Sequence, residues 1–291
     1  MAQAPQPTSA MQPVLRALRL PQFGMGSRIA AAVLAVIVVL TLLAGWIAPH
    51  DPLTMNPLAR LKGPIEGHPL GTDNFGRDIL SRVLIGGQLS LIIGIATAVV
   101  SVLLGLVIGM IAGFFRTADA IIMRAMDALM AIPSILLAIA LVALNGPSVG
   151  SVIAAITIPE IPRVVRLVRA VVLSAREEPY VEAAIALGTP MRKILVRHLV
   201  PNTTAPLIVQ GTYILASAIL TEAILSFLGA GVSTETPTWG NIMAEGRLFF
   251  RIKPELILYP GIALSLCILS INLLGDAARD MLDPRLKKRA G

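Results

Sequence analysis

From residue 89 to residue 113 no charged side chain interrupts the chain. That run exceeds the roughly 20 apolar residues that carry an α-helix across a hydrocarbon core. In lipid the backbone must satisfy its own hydrogen bonds, which restricts spanning segments to helices or a closed barrel. Composition agrees with a membrane chain: 55% of the 291 residues are hydrophobic, only 14% are charged, and the mean hydropathy is +0.79. A soluble domain carries about 25% charged residues. The expected fold class is an all-α polytopic membrane protein.

Six apolar runs suggest six transmembrane helices, over residues 29–47, 89–113, 126–144, 149–171, 205–228 and 256–274. The fourth is interrupted by Pro159, Glu160 and Pro162. The first occupies a signal-peptide position, but it is long, lacks a small-x-small cleavage site and ends in Trp46, Pro49 and Asp51, so an uncleaved span is expected. The reading divides the chain into a loose tail at 1–27, a six-helix domain at 28–286 and a short tail at 287–291. The domain contains external segments at 49–88 and 229–253, and a cytoplasmic segment at 173–202. Seventeen Lys and Arg residues fall on the side of the two tails and the 173–202 segment, against seven on the other. Basic residues accumulate on the cytoplasmic side. Both termini are therefore expected in the cytoplasm, and the net charge of +7 is explained without nucleic acid.

Gly105, Gly109 and Gly113 recur every four residues and share one helix face. Such a face permits close backbone approach, although glycine is also common in membrane helices without that role. Pro133 removes a hydrogen bond within the third span and predicts a kink there, serving a gate or a curved wall. Glu222 in the fifth span and Glu160 in the fourth must face protein or water, lining a path or bonding between helices. Asp127 follows Arg124 by three residues, a spacing for a local ion pair or a gating contact. Trp239 in the outer segment is either an interfacial anchor or part of an external surface.

Residues 173–202 form a polar, helix-prone insert between apolar runs. Pro179 opens a short helix whose start carries Glu177, Glu178 and Glu182, charges that suit a helix N-terminus. Ala183 and Ala184 leave a low surface for close packing. Gly188 allows a turn, and a second basic helix runs to Pro201, which is expected to end it. Physically this is either a bracket that docks a partner or an amphipathic loop lying on lipid headgroups.

Glu182-Ala183-Ala184, Gly188 and Pro201 resemble the cytoplasmic signature of permease subunits of bacterial ABC importers. Arg197-His198-Leu199-Val200-Pro201-Asn202 resembles the dipeptide/oligopeptide/nickel permease family. So do four distant pieces: His68 to Asp73 with Gly76-Arg77-Asp78 and Ser81-Arg82; Ala131-Ile132-Pro133; Leu225 to Gly229 with Pro237 to Gly240; and Asn272 to Asp276 with Arg279-Asp280 and Asp283-Pro284-Arg285. The likeness spans roughly residues 28–286 and is nearest the "C" permease of a dipeptide or oligopeptide system. The Pro159-Glu160-Ile161-Pro162 stretch departs from the family pattern.

The resemblance implies a type I ABC importer permease fold in the bacterial inner membrane. It implies a pathway shared with a homologous permease, and a solute-binding protein delivering peptides from outside. Two ATPase subunits, holding ATP and Mg, would grip a coupling helix around Glu182, Ala183, Ala184, Gly188 and Pro201. It implies that Trp239 lies near an external port.

The alternative cargoes are nickel chelates, glutathione or another small solute. An ion-coupled carrier using Glu160, Glu222 and Asp127 is a different class, and it has no use for the bracket. None of the lysines follows a glycine, so the Gly-Lys-Ser/Thr loop of an ATPase is missing. His50, His68 and His198 are scattered and no His-Glu-x-x-His occurs, so the spacing predicts neither a catalytic residue nor a metal site or cofactor in this chain.

Overall fold

The computed structural model describes residues 24–233 and 235–282. Every named element among them is helical. Helix α1 spans Met25–Leu42 and continues as one turn at Ala44–Ile47; α2 is Ile79–Phe114, α3 Arg116–Met130, α4 Ser134–Asn145 and α5 Val149–Ala175. Then come α6 at Pro179–Ala186, α7 at Met191–Phe227, α8 at Trp239–Gly246 and α9 at Glu255–Leu282. Most of the 1–27 tail and all of the 287–291 tail lie outside the described residues, as do Asp283, Pro284 and Arg285.

The expectation of six spans is corrected. Among the described residues four helices are long and apolar enough to cross a membrane: α1, α2, α7 and α9. A fifth is added only if α3 and α4 are taken as one broken span. Two local causes account for the difference. The third apolar run is divided at Ala131–Pro133, where α3 and α4 meet at 89°. Pro133 does not kink a continuous helix; it caps a new one. The fourth run is a continuous helix of 27 residues through Pro159 and Pro162. However, Glu160, Arg163 and Arg166 fall within every 18-residue window of it, too many charges for a span of that kind.

Helix α2 shows why the bundle holds. Its buried face carries Ser90, Gly94, Thr97, Ser101, Gly105 and Gly109, while Ile92, Val99, Leu103 and Val107 are half or more exposed. Small residues inside and large apolar ones outside invert the pattern of a water-soluble helix and suit a lipid surround. At 36 residues the helix is roughly 54 Å long, well beyond a hydrocarbon core of about 30 Å. Gly105, Gly109 and Gly113 lie directly against Val164, Val168 and Val172 of α5. A Cβ at position 105 would stand 2.4 Å from the Val164 Cβ, and one at 109 or 113 would stand 2.7 Å from the facing valine. Helices α2 and α5 therefore form the most extensive pair in the bundle. Around it, α7 packs on α2 and α9, and α9 packs on α1.

The start of α2 and the residues just after α1 meet at one end of the bundle, where His50 N–H donates to Ser81 Oγ. The far ends of α2 and α5 meet at the other, and there α6 follows. The two ends are called here the clasp end and the bracket end.

The α2–α5 contact generates a test. Gly105→Ala is expected to lower stability by about 1–3 kcal/mol through overpacking. Gly211→Ala, whose Cβ would meet only Val102 at an ordinary 3.7 Å, is expected to be neutral or stabilising by up to about 1 kcal/mol. Unfolding in mixed micelles measures both; equal effects would contradict the packing account.

Candidate functional site

At the bracket end, Pro179 occupies the first position of α6, where its missing N–H is no loss. The helix closes with a double hydrogen bond: Gly188 N–H donates to the Ile185 carbonyl at 2.9 Å and Thr189 N–H to the Ala184 carbonyl at 3.0 Å. This closure needs a left-handed residue after the cap, and Gly188 has φ +72°. A Cβ at 188 would meet nothing within 4 Å, so the requirement for glycine there comes from the backbone conformation. Val181 and Ala184 turn inward onto a cluster with Val172, Ala175, Ile194 and Leu199. Glu182, Ala183, Ile185 and Leu187 face outward, Leu187 almost wholly exposed. Of the two alanines, only Ala183 belongs to the free surface.

Pro201 does not end the second bracket helix. The chain passes from Met191–Ile194 through a π-helical stretch, Leu195–Leu199, into the long part of α7. A proline in a helix lacks its own N–H and crowds the carbonyl four residues back; wider π turns absorb such a mismatch. Asn202 Nδ2 donates to the His198 carbonyl at 2.6 Å and to Tyr180 Oη at 2.9 Å. The bracket is thus bonded across its two limbs and is continuous with α7.

Two ion pairs hold α3 to α5 nearby. Asp127 accepts from Arg166 at 2.6 Å, not from Arg124, and Asp119 accepts two bonds from Arg169, at 2.5 and 2.6 Å. Asp119 went unremarked in the sequence. The two aspartates are eight residues apart and the two arginines three, so spacing along the sequence gave no signal for these pairs. Glu160 is buried and takes Arg163, three residues on, at 3.1 and 3.3 Å.

Glu222 is fully buried, accepting from Ser226 Oγ at 2.8 Å and Ser90 Oγ at 3.3 Å. Ser90 Oγ also accepts the Trp239 N–H, at 3.3 Å. Trp239 is buried within the bundle: its ring lies over Gly87 and its indole N–H donates to the Val83 carbonyl at 2.9 Å. Glu222 and Trp239 therefore meet through Ser90 where α2, α7 and α8 converge.

The clasp end is organised by Asp73. One carboxylate oxygen accepts the N–H groups of Phe75 and Arg77 at 2.8 and 2.9 Å. The other accepts Arg77 Nε at 2.6 Å and an Arg82 nitrogen. Both arginines continue to Glu245 of α8; Arg82 reaches it at 2.8 and 3.1 Å. Asp73, Arg77 and Arg82 are buried and Glu245 is partly covered, so two cations and two anions form a neutral set, the arrangement in which buried charge is tolerable. Gly76, at φ +76°, stands against the Asn56 carbonyl, where a Cβ would sit at 1.9 Å. Lys253 Nζ donates to the Lys62 carbonyl, and burial holds its ammonium below the ordinary lysine range. The motif residues Asp73, Arg77 and Arg82 were visible in the sequence; Glu245, more than 160 positions away, had no local signal.

Residues 101–288 match the family model described as "Binding-protein-dependent transport system inner membrane component". The chain is 51% identical to a protein named a probable peptide ABC transporter permease of Sinorhizobium fredii, over 85% of each chain. It is 41% identical to a di/tripeptide transport system permease of Pseudomonas aeruginosa, over 88% of this chain and 86% of that one. It is 40% identical to a dipeptide transport system permease of Alkalihalophilus pseudofirmus, over 80% and 77%. A solved MetNI methionine ABC transporter in an inward-facing conformation matches 67% of this chain and 94% of that one at TM-score 0.48 and 21% identity, too distant to add to these.

The fold and these likenesses define a polytopic, non-catalytic membrane component. The chain belongs to the permease subunits of binding-protein-dependent ABC transporters.

The clasp generates a prediction. Asp73→Asn leaves two buried arginines short of an acceptor and is expected to cost about 3–5 kcal/mol. Asp127→Asn breaks a half-exposed pair and is expected to cost at most about 1 kcal/mol. Thermal unfolding in detergent compares them; equal losses would show that the clasp is not a stabilising hub.

Proposed function

We propose that this chain is one of two homologous permeases through which an ATP-driven importer moves di- and oligopeptides into a bacterial cell. The peptide cargo is supported by the names of the relatives above, all of which are peptide or dipeptide permeases. In this reading the bracket end and both termini face the cytoplasm, which accords with the excess of Lys and Arg there. An external solute-binding protein loads the clasp end, and two ATPase subunits, carrying ATP and Mg, engage α6.

The observation that carries the reading is α6 itself. It is a short helix with an exposed face of Glu182, Ala183, Ile185 and Leu187, and an inner face locked to α5 and α7. Leu187 does not stand alone: Tyr180, Ile185, Met191 and Val196 are also exposed across the bracket, and an apolar patch of this kind supports a contact with another protein. A push on α6 passes into α5 through Val172 and Ala175, and into α7 through Ile194 and Leu199, because close-packed interiors transmit displacement. Glu182, Ala183 and Gly188 act at the surface and at the turn behind it. Ala184 and Pro201 act by seating the bracket.

The coupling role predicts a separation of folding from transport. Gly188→Trp adds a Cβ that meets nothing within 4 Å and costs about 1–2 kcal/mol of backbone strain, so the protein is expected still to insert and assemble. It is expected to abolish ATP-dependent peptide uptake in vesicles containing the whole transporter. Normal uptake by that variant would contradict the role. Ala183→Cys is expected to react with a membrane-impermeant maleimide only in inside-out vesicles; labelling of intact cells would reverse the orientation.

A further inference from the structure

Three potential metal ligands, separated in sequence by 18 and 10 positions, meet at the clasp end. They are His50 just beyond α1, His68 in the following segment and Asp78 at the cap of α2. Their donor atoms all lie within 4.8 Å of one another. The two imidazoles stack with centroids 4.4 Å apart and planes 22° from parallel. His68 Nδ1 stands 3.0 Å from one oxygen of Asp78.

The surroundings hold these groups in place. The second Asp78 oxygen accepts both the N–H and the hydroxyl of Ser81 at 2.7 Å, so the carboxylate cannot turn freely. Ser81 Oγ in turn accepts the His50 N–H at 3.1 Å, tying the histidine backbone to the same cap. Asp78 is buried, His68 is partly covered and His50 is open to solvent. The cluster is therefore fixed at its base and accessible at its mouth. Neither the bracket nor the four-charge clasp uses it.

We propose that His50, His68 and Asp78 form a binding site for a divalent transition-metal ion of the zinc, nickel and copper group. Two imidazole nitrogens favour these ions over magnesium or calcium, which take oxygen. Ligands about 2.0–2.1 Å from a tetrahedral ion stand about 3.3 Å from one another. The His68–Asp78 separation already approaches that edge, and a rotation of the exposed His50 ring closes the remainder. Water fills the fourth position. The ion joins the end of α1, the middle of the following segment and the cap of α2, three points already tied by hydrogen bonds and a ring stack. Sequence spacing hid the cluster, because the segment from 51 to 78 must fold back on itself before His50 and His68 meet.

The test uses the full chain, purified in detergent without a polyhistidine tag and titrated calorimetrically with zinc chloride. One equivalent of Zn²⁺ is expected to bind. His50→Gln and His68→Gln are each expected to weaken it by about tenfold or more, while His198→Gln leaves it unchanged. Copper(II) bound to the unmodified chain is expected to show nitrogen hyperfine splitting in its paramagnetic resonance spectrum, a readout independent of how the variants fold. Absence of Zn²⁺ binding by the unmodified chain, undiminished binding by His50→Gln and His68→Gln, or a copper spectrum without nitrogen ligands would each overturn the site.

Discussion

Everything in this bundle depends on how closely α2 can approach α5. Three glycines on one helix meet three valines on the other at matching four-residue steps, and no side chain larger than hydrogen fits at the contact. Because lipid is as apolar as leucine, the hydrophobic effect gives a membrane helix such as α2 little reason to associate with a neighbour. Dispersion over a long, close contact supplies that reason, at a small gain per atom pair summed along the seam. The large apolar residues of α2 are left to face outward.

That seam also links the two polar ends. Helix α5 runs unbroken from its Ser148 cap to Ala175, where the bracket cluster begins. Helix α7 leaves the bracket and runs to the Glu222–Ser90–Trp239 junction below α8. Helix α8 carries Glu245 into the clasp. A continuous set of packed helices thus connects the short, exposed α6 at one end with a folded, charge-neutral segment at the other. On the function proposed, the ATPases act on the first and the binding protein on the second, with this chain as the lever between them.

Much of this was legible in the sequence, and for identifiable reasons. Apolar runs reveal helices because lipid admits few other structures, and the Gly105-Gly109-Gly113 spacing marked the contact face of α2. The 173–202 segment stood out by polarity, and Gly188 by its place after a short helix. What failed were inferences about where helices stop. Pro133 divides a run that hydropathy alone would join, Pro201 passes inside a helix because π turns accommodate it, and α5 keeps its helix while carrying too many charges for a simple span. What could not be read was pairing across long stretches of chain. Asp127 finds Arg166 rather than Arg124, Arg82 finds Glu245, Trp239 turns into the bundle, and His50 meets His68. Each depends on how elements fold back in space, which local spacing does not encode.

The central claim is that this chain moves solute only when a nucleotide-hydrolysing partner drives the bracket. Reconstitution tests it directly: purified chain and its homologous permease in lipid vesicles, with solute-binding protein outside, and labelled dipeptide uptake followed with and without the ATPase subunits and internal ATP. The account predicts accumulation against the gradient only when ATPase and ATP are both present. Uphill accumulation by the two permeases alone would contradict it.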